Sequence, residues 1–97
     1  MNCYIMIWNP TLEGKPAQAI DRQVILDFLD TLPEVYNWRA NLRAIFIVSD
    51  ASHELLSEKI HTRFPGLLHI VALISGETCQ GWVDQDTWDF IEKLGDV

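Results

Sequence analysis

Cys3-Tyr4-Ile5-Met6-Ile7-Trp8, Ala44-Ile45-Phe46-Ile47-Val48 and Leu67-Leu68-His69-Ile70-Val71-Ala72-Leu73-Ile74 are the three stretches that decide the fold. Each is short, rich in Ile, Val or Leu, and almost free of polar breaks. Apolar runs of this length read as strands rather than helices. Two segments of helical period lie between them, so the order is strand, helix, strand, helix, strand.

Working outward from the first run, Asn9-Pro10 ends it, because proline cannot continue a ladder. Thr11 to Lys15 read as a loop with Gly14 as its flexible point. A first helix is predicted from about Pro16 to Leu32, with Pro16 in the first turn. Ile20, Val24, Phe28 and Leu32 recur at four-residue spacing, with Ile25 and Leu29 beside them. Pro33 stops the helix. Val35 to Trp38 read as a short strand, and Arg39 to Arg43 as a hairpin tip, with Asn41 suited to the turn. Arg39 and Arg43 are then expected to be solvated charges that guard a sheet edge.

Ser52 is the expected cap of a second helix whose buried stripe is Leu56, Ile60 and Phe64, closed by Pro65-Gly66. After the last apolar run, Gly76 to Gly81 form a turn-rich loop. A final amphipathic helix is expected to begin near Asp84 or Asp86 and to carry Trp88, Ile91 and Leu94. Residues 1–97 thus read as one domain, with 76–97 as an acidic, Trp-bearing extension.

The sum is β-α-β-β-α-β plus a C-terminal helix. The fold class expected is α+β, ferredoxin-like: a four-stranded antiparallel sheet with two helices on one face. One-sided cover should give alternating strands. The first and last runs are instead apolar on both faces. The second face must therefore be covered, by the C-terminal segment or by a second copy of the chain. A homodimer is expected.

The formal charge is −7. Glu77, Asp84, Asp86, Asp89, Glu92 and Asp96 against the single Lys93 place most of it in the last fifth of the chain. An acidic surface repels phosphate, which speaks against sequence-independent binding to nucleic acid. It fits solubility or a basic protein partner. No apolar stretch approaches the ~20 residues of a membrane-spanning helix, and no signal peptide is read at the N-terminus. A cytoplasmic location with Cys3 and Cys79 reduced is expected.

Strong chemical motifs are lacking. Asp84, Asp86 and Asp89 lack the glycine and distal Glu of a calcium loop, and read more simply as an acid-rich helix start. His53, His61 and His69 have no partners at ligand spacing, so no metal and no cofactor are expected. Ser49 and Ser52 lack an elbow or triad context. Asp50 with His53 is the weak base-and-orienter alternative, and Asp50 serves as well at a helix start. Trp82 and Trp88, set among acids, are candidates for core or for a partner or dimer interface together with Ile91, Asp84, Asp86 and Asp89.

Tyr4-Ile5-Met6-Ile7-Trp8-Asn9, Ile45-Phe46-Ile47-Val48-Ser49-Asp50, Gly76-Glu77 and Gly81-Trp82-Val83 with Trp88 resemble the small Cas-two-like proteins, the metal-dependent nuclease fold of CRISPR spacer acquisition. More closely they resemble the short bacterial proteins labelled SinR family. The resemblance implies a dimer of ferredoxin-like subunits. In the nuclease relatives an Asp ending the first strand helps hold a divalent metal at the dimer cleft. Here that position is Asn9, which keeps an oxygen and loses the charge such a site uses. Asn9 is then a vestigial metal or nucleic-acid position. The function expected is a non-catalytic, homodimeric, Cas-two-like protein with a defence- or mobile-element-related role. The alternatives are a small acidic inhibitor of a basic protein, of the antitoxin, immunity or anti-CRISPR kind, and a metal-dependent nuclease.

Overall fold

A computed structural model describes residues 1–96. The strands are β1 (Asn2–Trp8), β2 (Thr11–Leu12), β3 (Lys15–Ala19), β4 (Val35–Asn41), β5 (Ala44–Ser49) and β6 (His69–Ile74). The helices are α1 (Arg22–Asp30), α2 (His53–Arg63) and α3 (Gln85–Glu92). The main sheet has the order β4-β5-β1-β6, and every neighbouring pair is antiparallel. β2 and β3 form a separate hairpin.

Alternation along the strands sorts the side chains onto two faces. Tyr4, Met6, Ile45 and Ile47 point to the face covered by α1 and α2, where they pack with Ile25, Leu29, Leu56 and Ile60. Cys3, Phe46 and Val48 point to the other face and pack under Phe90 and Ile91 of α3. The expectation of a covered second face is met in part by α3 alone. This accounts for β5, whose residues are all buried.

α1 differs from the expectation. The residues from Lys15 to Ala19 are a strand, not the first turns of a helix. Gly14 adopts a positive φ of 75° and closes the β2–β3 turn. The Ile20 amide bonds the Pro10 carbonyl at 2.8 Å, which fixes the hairpin's return. The helix begins only where Asp21 accepts a hydrogen bond from the Gln23 amide. The buried stripe is centred on Ile25, Leu26 and Leu29, with Ile20, Phe28 and Leu32 packed at its margin, and of the expected stripe only Val24 is exposed. α2 follows the sequence closely, with Ser52 Oγ accepting from the Leu55 amide.

β4 runs on through Arg39 to Asn41, so the hairpin tip is only Leu42-Arg43. α3 ends at Glu92, and Leu94 lies beyond it with a positive φ of 50°. β6 is a sheet edge rather than a doubly covered strand. Leu68 just before it, and Ile70 and Leu73 within it, are exposed. No helix among the described residues is long and apolar enough to cross a membrane.

Candidate interaction surface

The acidic residues singled out at α3 do different jobs. Asp84 precedes the helix at its cap position, but its carboxylate does not cap the backbone. It accepts from the Thr87 hydroxyl at 2.6 Å, from Arg39 at 2.8 Å and from the Asn41 amide at 2.7 Å. Thr87 is fully buried, and its oxygen also accepts from Arg39 Nε and Asn41 Nδ2. The Thr87 hydrogen bond, with the Arg39 charge behind it, holds the Asp84 carboxyl below its ordinary range. Arg39 is therefore not the solvated hairpin charge expected. It lies inside β4 and clamps α3 to the sheet. The expected turn role of Asn41 stands, since its Oδ1 also accepts from the Leu42 amide.

Ile91 is buried in the core beneath α3 and presents no surface in a single copy. Trp88 is half-buried against the same core. Asp89 is half-buried and accepts from Gln85 at 2.9 Å, whereas Asp86 stands exposed in the first turn. Trp82 is 100% exposed. Of the α3 group, Trp82 and Asp86 are thus the residues most open to a partner. Among the described residues, no three His, Cys, Asp or Glu side chains are grouped as metal ligands would be.

Asn9 lies at the end of β1 beside a shallow depression of about 290 Å³. Its lining is Ile7, Trp8, Leu68, His69 and Ile70, with no carboxylate among them. Ile7 is 47% exposed and Ile70 is 60% exposed. The two are register partners across β1 and β6, on the face that carries α3. α3 covers the β5 side of this face and the Ile74 end of β6, and leaves Ile7 and Ile70 open.

His69 points the other way, toward α2. Its Nδ1 lies 3.0 Å from the Leu67 carbonyl, which can only accept, so Nδ1 carries the proton. In the neutral ring Nε2 then accepts from the Ser57 hydroxyl at 2.9 Å. The pair has the look of a nucleophile and base. Ser57 sits mid-helix, however, where neighbouring amides are tied into the helical ladder and none is left to hold an oxyanion. The pair ties α2 to β6. Sequence reasoning did not single out Ser57, because an unpartnered serine in a helix carries no motif.

Burial pushes the Cys3 thiol up to about 12, so it stays protonated and inert. Glu34 is held below its ordinary range by its hydrogen bond with Lys59, which ties the start of β4 to α2. Comparison of the chain with family models, with curated proteins and with solved structures finds no match.

Proposed function

We propose that this chain is a non-catalytic, homodimeric binding protein on a ferredoxin-like, Cas-two-like frame, with a defence- or mobile-element-related role. The observation that carries the reading is the surface around Asn9. Where the nuclease relatives would gather carboxylates for a divalent metal, this chain has an amide beside Ile7, Leu68 and Ile70. Such a surface suits dry contact with protein better than cation or phosphate. The strand order β4-β5-β1-β6 with α1 and α2 on one face supports the ferredoxin-like part.

The test has two arms. Light scattering should return a dimer, and a strict monomer would sink the homodimeric part. Incubation with RNA and DNA in Mg²⁺ or Mn²⁺ should leave both intact. Cleavage that is lost in a chelator would overturn the non-catalytic part.

A second reading is favoured by one observation, the full exposure of Trp82 within the acidic segment. An exposed aromatic rimmed by acids suits a basic protein surface. On that reading the chain neutralises such a partner. Asp86→Lys with Asp89→Lys should abolish salt-sensitive binding of a lysine-rich helical peptide, and binding that is indifferent to both would remove the idea.

A further inference from the structure

The two edges of the main sheet are treated differently. β4 carries a bulge between Val35 and Asn37, and the Asn37 side-chain amide donates to the Gly95 carbonyl at 3.0 Å, which brings the C-terminal chain across this edge. Bulges, charges and crossing chain are the usual means of keeping an edge from pairing with another molecule. β6 has none of them. Its sequence is His-Ile-Val-Ala-Leu-Ile, and its pairing with β1 is regular throughout.

The Asn9 amide bonds the Leu68 carbonyl at 2.9 Å. Bonded pairs alternate along an antiparallel ladder, so Ile7–Ile70, Ile5–Ala72 and Cys3–Ile74 are the bonded pairs that follow. His69, Val71 and Leu73 then turn their N–H and C=O groups away from β1. Among the described residues, none of these backbone groups has a partner outside the sheet.

We propose that β6 pairs antiparallel with β6 of a second copy across a two-fold axis at Val71, joining two sheets into one. This rests on the homodimer reading above and specifies its interface. The Val71 register is the one in which all three outward residues find a partner within the strand. Val71 faces Val71, and Leu73 faces His69 of the other copy, for about six main-chain hydrogen bonds. On the opposite face, Ile70 lies across from Ala72 of the other copy. The two most exposed side chains of the strand, Ile70 and Leu73, each gain an apolar or aromatic neighbour.

Charge argues for a second copy rather than a foreign strand. Each chain carries −7, so two copies repel over most of their surface. Phe64 to Gly76 contain no Asp, Glu, Lys or Arg, and β6 lies inside that stretch. It is the edge along which two acidic molecules can meet without opposing like charges.

The experiment is amide exchange on the full chain by NMR, with light scattering on the same sample. The expected result is a dimer in which the Val71 and Leu73 amides exchange on the order of a hundredfold more slowly than those of the 76–81 loop. Leu73→Pro should then halve the mass to the 11.2 kDa of one chain with the fold retained. The Leu73 amide is not needed by β1, and its side chain is exposed, so proline is tolerated there. A wild-type dimer with fast exchange at Val71 and Leu73 overturns this interface and spares the homodimer reading. A wild-type monomer with fast exchange overturns both. Slow exchange in a monomer assigns the edge to a bound peptide and overturns pairing with a second copy. The wild-type exchange result stands whether or not the proline variant folds.

Discussion

Thr87→Val should loosen α3 without disturbing the apolar packing around it. Valine keeps the shape and the methyl of threonine and removes only the hydroxyl. That hydroxyl donates to Asp84 at 2.6 Å and accepts from Arg39 Nε at 2.9 Å and from Asn41 Nδ2 at 2.7 Å. Asn41 and Asp84 keep each other, and Arg39 keeps Asp84 through its other nitrogen. The Arg39 Nε–H and one Asn41 N–H lose their partner next to a fully buried site. Net losses near 1 kcal/mol per bond, with a further cost for a stranded donor, give about 2–3 kcal/mol. The Arg39–Asp84 pair is open to water, so nothing is added for it. In a chain of this size, 2 kcal/mol is about 8–16 °C in Tm.

The assay is urea unfolding followed by circular dichroism, repeated across pH. Asp84 is held below its ordinary range chiefly by Thr87. A carboxyl depressed in this way stabilises the fold above its ordinary value and loses that contribution as pH falls through the folded value. The variant has lost the largest cause of the depression. The gap between wild type and variant should therefore be full at neutral pH and narrow below about pH 4. The Glu34–Lys59 pair is common to both proteins and cancels. A loss under about 0.5 kcal/mol at neutral pH, which is what an exposed surface change gives, would show that the clamp does not hold α3.

Other changes test separate parts of the structure. Tyr4→Phe removes a buried hydroxyl that donates to the Ala51 carbonyl at 2.7 Å, and should cost about 1–2 kcal/mol in the same unfolding assay. Leu42→Gly relieves a residue held at a φ of 57° whose side chain is exposed. It should raise the unfolding free energy by about 0.5–1 kcal/mol, seen as a higher urea midpoint with an unchanged slope. Trp82→Ala should leave Tm unchanged, because the side chain touches water on all sides. If the acidic-binder reading holds, the same variant should lose binding to a basic peptide.

The sequence made the main sheet legible because its strands are dense in β-branched residues and bounded by Asn9-Pro10, Ser49-Asp50 and Gly66. The second helix was legible because its cap and its stripe agree. The first helix was misplaced at its start because Ile20 fits a helical stripe and also serves as the anchor of a hairpin. Periodicity cannot separate those uses; the Pro10 carbonyl does, and it is a tertiary partner. The Arg39–Asn41–Asp84–Thr87 clamp was hidden for a similar reason. Its members stand in β4 and at α3, and each has an ordinary local explanation as an edge charge, a turn residue or a helix start. Leu73 and Ile70 looked like core because they are apolar; only strand order shows that β6 is last in the sheet.

That position turns the two-sided apolarity of the chain into an argument about assembly. Two explanations were open, cover by the C-terminal segment or by a second copy, and α3 takes only part of the face. α3 takes Cys3, Phe46 and Val48, and its clamp holds it over β4 and β5. It cannot also cover Ile7 and Ile70 without leaving Arg39 and Asn41, which would strand their donors. The open apolar strip is thus a consequence of where α3 is anchored. If β6 pairs as proposed, the strips of two copies join into one apolar floor with an α3 on either side, rimmed by Asp86 and the rest of the acidic segment. An apolar floor between acidic walls is suited to the apolar face of a basic amphipathic helix. The homodimer and the acidic binder would then be one protein: the pairing of two copies makes the surface that the second reading requires.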